Sequence, residues 1–113
     1  MADERAVRIA LNESRFRQIN DGLRDDLAKL PSQPEAVPFV CECGSNSCEG
    51  LVEVTLAEYE AIRANSRHFL VLPGHEIAGA ERVLASVPQY MVVEKQPAVG
   101  PLVDATDPRR GRH

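Results

Sequence analysis

All the cysteines of this chain fall within eight residues: Cys41-Glu42-Cys43, then Gly44-Ser45-Asn46-Ser47, then Cys48. A histidine follows inside Pro73-Gly74-His75-Glu76. Thiolate and imidazole are the donors zinc favours in a closed tetrahedron, and three cysteines with one histidine form a common structural set. A Cys-X-Cys pair on a turn puts two sulfurs near one point, and the four residues after it let the third swing round. Cys41, Cys43, Cys48 and His75 are therefore the expected metal ligands. Glu42 or Glu76 is the expected acceptor for the other imidazole N–H. Any fold must then bring residues 41–48 and residue 75 together, and metal-binding energy becomes folding energy where the empty site is not preformed.

Other chemistries compete for these residues. His68 and His113 are rival imidazoles, but a Pro-Gly turn aims the side chain beside it, which favours His75. An iron–sulfur cluster is the alternative cofactor, although such clusters are usually held by cysteine alone. Thiol redox chemistry with zinc release is compatible with the same ligands. Catalytic zinc needs an open coordination position, and four protein ligands leave none. Were His75 not a ligand, a water could replace it, with Glu42 or Glu76 as base. No Ser-His-Asp arrangement and no glycine-rich phosphate loop is signalled, so the balance is against an enzyme.

With 113 residues the chain is expected to form one domain. It has no Trp, three Phe and two Tyr, so a small core would gain from a metal staple. Clustered cysteines of odd number read as metal ligands or redox thiols in a reducing compartment rather than as disulfides. No apolar run reaches the length of a membrane span, and Met1-Ala-Asp-Glu-Arg5 has no apolar signal segment, so a cytoplasmic location is expected. Thirteen Lys and Arg against seventeen Asp and Glu give a net charge of −4, which opposes phosphate binding. Arg63, Arg67, His68 and Arg82 could form a small basic patch, with Arg109, Arg110 and Arg112 near the end. Stacking aromatics are scarce, so nucleic acid is not the expected partner.

The organisation reads as α+β: a long N-terminal amphipathic helix, then a small zinc-stapled β-sheet domain with one short helix. Residues 1–30 form the helix, with Ile9, Phe16, Ile19, Leu23, Leu27 and Leu30 on one stripe. The stripe packs on the following domain, or pairs with a second copy in a homodimer. Phe16, Ile19, Leu23 and Leu27 are its expected docking residues for a protein partner. Residues 31–38 are a Pro-rich linker, and 39–95 the zinc-binding α+β domain. Within it, Phe39-Val40-Cys41, Leu51–Val54, Phe69–Leu72, Val83–Ala85 and Tyr90–Val93 read as strands. Thr55-Leu56-Ala57-Glu58 is a capping box opening a helix to about Ala64. Residues 96–113, rich in Pro, Gly and small residues, are expected to be a disordered tail.

Several landmarks in series resemble a group of small proteins from actinobacteria and relatives, to which no activity is assigned. They are Asn12 to Asn20, Phe39-Val-Cys-Glu-Cys-Gly44 with Cys48, Leu56 to Glu60 with Arg63, Phe69 to Glu76, and Tyr90 to Lys95. The resemblance covers about residues 12–95. It implies that this stretch is one unit and that the cysteines and His75 belong together. It implies no substrate or partner. The role expected from size and lack of catalytic motifs is that of a regulatory or adaptor module acting through protein–protein contact.

Overall fold

The computed structural model describes residues 4–45, 47–77 and 79–109. A long helix α1 (Glu4–Ala28) leads into strands β1 (Val37–Val40) and β2 (Leu51–Val54), helix α2 (Leu56–Arg63) and strand β3 (His68–Val71). Strands β4 (Glu81–Ser86) and β5 (Met91–Lys95) follow, then a 3-10 turn (Pro97–Val99) and a short helix α3 (Gly100–Ala105). The fold is α+β, with a long N-terminal helix, small antiparallel sheets and a short helix between them.

β1 and β2 form one antiparallel pair, with Phe39 opposite Val52. β3, β5 and β4 form a second antiparallel sheet with β5 in the centre, and β4 carries a bulge between Val83 and Ala85. In the first pair, alternation puts Val37, Phe39, Val52 and Val54 inward. Phe39 stacks on Tyr59 of α2, with ring centroids 4.2 Å apart and planes 13° from parallel. Phe69, Leu70 and Val71 of β3 and Val93 of β5 complete the centre of the core. α2 starts at the expected capping box. Thr55 Oγ1 accepts the Glu58 amide at 3.0 Å, and Glu58 Oε1 accepts the Thr55 amide at 2.8 Å.

α1 packs on its own chain, against β1, the 3-10 turn and α3. Its most buried face is polar: Glu13, Ser14, Arg17, Asn20 and Asp21 lie there with Ala10. Leu23 and Leu27 of the expected stripe do pack partly against the core, and Phe16 is half-buried. Ile19, by contrast, is 53% exposed and Leu30 47% exposed. The apolar repeat and the polar repeat share the helical period, and the buried partners decide which face turns inward. Arg17 lies over the Phe69 ring at 4.2 Å and donates to the carbonyls of Ser66 and Val103. Asp21 pairs with Arg63 at 2.9 Å, and Glu13 pairs with Lys95 at 2.7 Å. Lys95 also meets Glu81 at 3.1 Å. Burial, together with the neighbouring Glu81 carboxyl, pushes the Glu13 carboxyl well above its ordinary range, against the pull of Lys95.

Residues 96–109 correct the expectation of a disordered tail. Val99 and Val103 are buried in the core. Asp107 pairs with Arg63, and Asp104 with Arg67 at 2.9 Å. Arg109 reaches Asp21 at 2.8 Å and Glu60 at 2.7 Å. The Arg67 guanidinium lies directly against Gly100, where a side chain would collide with it. Pro at the start of each short helix suits the first helical turn, where an amide has no partner to lose. Composition suggested too little apolar surface to order this segment; two valines and a set of ion pairs suffice. Residues 110–113, with Arg110, Arg112 and His113, lie outside the described residues.

Arg63 is shared by Asp21 and Asp107, and these carboxylates hold it charged against the cost of burial. Arg63→Ala removes the buried cation that two carboxylates share, leaving Asp21 to Arg109 and Asp107 to the more distant Arg17. It is expected to cost about 3–5 kcal/mol, the usual loss when one member of a buried pair is removed. Arg24→Ala, in a half-exposed pair with Asp25 and Glu60, is expected to cost no more than about 1 kcal/mol. Urea unfolding of both variants measures the contrast.

Candidate metal centre

The cysteine loop begins where β1 ends. There the Asn20 side chain of α1 acts like a neighbouring strand. Its Nδ2 donates to the Val40 carbonyl at 2.9 Å, and its Oδ1 accepts the Val40 amide at 2.8 Å. The Cys41 amide donates to the Gly50 carbonyl at 3.0 Å, and the Glu42 amide to the Leu70 carbonyl at 2.8 Å. The loop is thus clamped between β2, β3 and α1. Gly44 takes φ of +79°, and a Cβ there would lie 2.9 Å from Glu13 Cγ and 3.0 Å from Ile9 Cγ2. Asn12 Nδ2 donates to the Gly44 carbonyl at 3.2 Å. The Cys48 amide donates to the Ser45 carbonyl at 3.2 Å, closing the turn.

His75 arrives from the other sheet. β3 ends at Val71, and Pro73-Gly74 turns the chain with Gly74 at φ of +84°. The His75 amide donates to the Leu72 carbonyl at 3.0 Å. One donor atom from each of Cys41, Cys43, Cys48 and His75 lies within 4.8 Å of all the others. His75 Nδ1 is 3.8 Å from Cys41 Sγ and 3.6 Å from Cys48 Sγ. A tetrahedral zinc with bond lengths of about 2.3 Å to sulfur and about 2.0–2.1 Å to nitrogen sets sulfur and nitrogen about 3.6 Å apart. The four side chains could therefore hold a metal ion.

The surroundings suit thiolates around a cation. The Leu72 amide donates to Cys41 Sγ at 3.2 Å, and the Gly50 amide to Cys48 Sγ at 3.5 Å. Cys41 is 2% exposed and Cys43 5%. Burial pushes both thiols above their ordinary range, against amide hydrogen bonds that favour the thiolate. A bound divalent cation inverts that balance and takes the protons off. Cys48 is only half-buried.

Glu42 takes a different role from the one expected. Its side chain is fully buried. Oε1 accepts the Leu70 amide at 3.0 Å; Oε2 accepts Asn20 Nδ2 at 2.8 Å and the Tyr59 hydroxyl at 2.7 Å. Its carboxylate thereby ties the loop to α1, α2 and β3 rather than orienting His75. Burial raises its pKa, and these three donors and Arg17 pull it back. Glu76 is half-buried and has no hydrogen-bond partner among the described residues. His68 is occupied elsewhere, with Nε2 3.0 Å from Glu94 Oε2.

The basic residues do not gather into a free patch. Arg63 is buried between Asp21 and Asp107, Arg67 pairs with Asp104, and Arg82 and His68 share Glu94. Sequence reasoning anticipated Gly44 as part of the cysteine turn but missed Asn12, Asn20 and Tyr59 as supports of that loop. Two asparagines eight residues apart inside a helix are the one sequence signal that could have drawn attention, since Asn is a poor helix former. No helix among the described residues is long and apolar enough to cross a membrane. No protein-family model, curated protein or solved structure matches this chain.

Gly44→Ala strains a left-handed backbone and presses a methyl on Glu13 and Ile9. It is expected to weaken metal retention at least tenfold in a chelator competition. Gly22→Ala, with nothing within 4 Å of the new methyl, is expected to leave retention unchanged and to stabilise α1 by about 0.5–1 kcal/mol.

Proposed function

We propose that this chain is a small zinc-binding module that acts as a regulatory or adaptor protein, by contact with another protein. The observation that carries the reading is the convergence of Cys41, Cys43, Cys48 and His75 from two sheets onto one point. Three sulfurs and one imidazole nitrogen suit zinc, and a full protein ligand set suits a structural rather than a catalytic ion. The ion crosslinks the β1–β2 pair to the β3–β5–β4 sheet, so its binding stabilises the whole domain.

The protein-contact part rests on the surface. On α1, Ile19 stands exposed with Leu11, and Leu30 is exposed just past the helix, while Leu23 and Leu27 are partly committed to the core. Of the expected docking residues Phe16, Ile19, Leu23 and Leu27, Ile19 is thus the one left most available to a partner or a second copy. A second reading, a thiol redox sensor that releases zinc, is favoured by one observation. Cys48 is half-buried whereas Cys41 and Cys43 are buried, so an oxidant meets Cys48 first.

Native mass spectrometry with elemental analysis tests the zinc reading. One zinc per chain is expected, lost in Cys43→Ser and His75→Ala together with stability. Iron with sulfide would move the reading to an iron–sulfur protein, and a folded, reduced, metal-free chain would overturn it. Mild peroxide distinguishes the two roles. A structural site keeps its zinc at doses that titrate ordinary exposed thiols; a sensor releases it.

A further inference from the structure

A cavity of about 500 Å³ opens beside the metal centre, between the first turns of α1 and the two ligand loops. Two of the metal-ligating residues, Cys43 and His75, line it with Gly44. Ile9 and Ile77 supply apolar wall, and Arg5 supplies a cation. The cavity is open to solvent, and its lining is more apolar than polar with a few polar groups, a mixture shared with small-ligand sites.

Arg5 and His75 are the cavity's strongest donors, and the Ser45 hydroxyl, engaged with Ser47, also lines it. His75 turns Nδ1 to the cysteine sulfurs, so a metal on Nδ1 leaves the ring proton on Nε2. A ligating histidine almost always donates that second N–H to a carboxylate, a carbonyl or water. Here no protein acceptor is provided among the described residues. Glu42 directs its oxygens to Leu70, Asn20 and Tyr59, and no hydrogen bond joins Glu76 to the ring. Arg5 is exposed and has no carboxylate partner among the described residues. His75 and Arg5 both line this half-apolar cavity, and an imidazole N–H beside a guanidinium suits an anion that accepts hydrogen bonds in a plane and carries a greasy body.

We propose that this cavity binds a carboxylate with a short aliphatic body. The His75 Nε2–H and the Arg5 guanidinium take the oxygens, and Ile9 and Ile77 take the body. The carboxylate completes the carboxylate–histidine–metal arrangement that the described residues leave open. It raises the basicity of Nδ1 and so tightens the hold on the metal, and by linkage the metal tightens the hold on the carboxylate. The ligand is the C-terminus of a protein chain or a free aliphatic acid, which share this chemistry. The inference rests on the zinc reading above, since the ring proton is fixed by the metal.

The test uses the full zinc-loaded chain and N-acetyl-leucine as probe, with N-acetyl-leucinamide as the uncharged control. Zinc content is measured on the same sample. In heteronuclear NMR titrations, saturable shifts are expected at Gly44, Ser45, His75 and the His75 ring nitrogens with the acid, and none with the amide. Arg5→Gln is expected to keep one zinc per chain and to weaken the acid about tenfold, the loss of one charge-assisted contact. Transfer of zinc to a pyridylazo chelator is expected to slow at least twofold in the presence of the acid. A peptide ending in leucine that binds tighter than N-acetyl-leucine identifies a chain terminus as the ligand. One that binds equally or more weakly identifies a free acid. Zinc-loaded protein that shows no shifts, binds acid and amide alike, or is indifferent to Arg5→Gln overturns this inference and leaves the zinc reading standing. A folded chain without zinc overturns both.

Discussion

The buried carboxylate of Glu42 is the contact through which the parts of this domain meet. It sits between Cys41 and Cys43 in sequence, yet its oxygens are taken by α1, α2 and β3 through Asn20, Tyr59 and the Leu70 amide. A carboxylate without partners at full burial would cost several kcal/mol, so the three donors must be in place before the loop can settle. The same side chain therefore couples the shape of the cysteine loop to the docking of both long-range helices. Asn20 extends the coupling by pairing with the end of β1 on one side and Glu42 on the other.

Around this centre the domain is held by charge as much as by apolar packing. Arg17, Asp21, Arg63 and Asp107 lie between α1, α2 and the C-terminal segment, and Glu13, Lys95 and Glu81 form a second group. Buried pairs add little net stability over apolar substitutes, but a mismatched one is costly. Here they join the inward face of α1, through Glu13, Arg17 and Asp21, to α2, β5 and the C-terminal segment. The core that remains is modest, and it contains neither Trp nor a disulfide. A crosslinking ion between the two sheets is the kind of staple such a core calls for.

The metal centre and the cavity beside it share a design. The cysteine loop is seated on α1 through Gly44 and Asn12, so the first turns of the helix form one wall of the space that His75 faces.

The sequence by itself determined the α+β class, the long helix, most of the strands, the capping box at Thr55 and the four residues that converge. Each of these depends on local chemistry: alternation in Leu51–Val54, a Thr-x-x-Glu signature, and donors clustered by type. It did not reveal that α1 buries Glu13, Arg17, Asn20 and Asp21, because their burial depends on cations, amides and carboxylates far along the chain. Nor did it reveal the role of Glu42, which looked like a companion to His75 until the positions of Tyr59 and Leu70 claimed its oxygens. The order of residues 96–109 was hidden for the same reason. Their composition is that of a tail, and only Arg63, Arg67 and Glu60, brought near by the fold, give their charges partners. Periodicity and spacing are local and can be read from a chain, whereas the pairing of a buried charge is decided by whatever the tertiary structure sets opposite it.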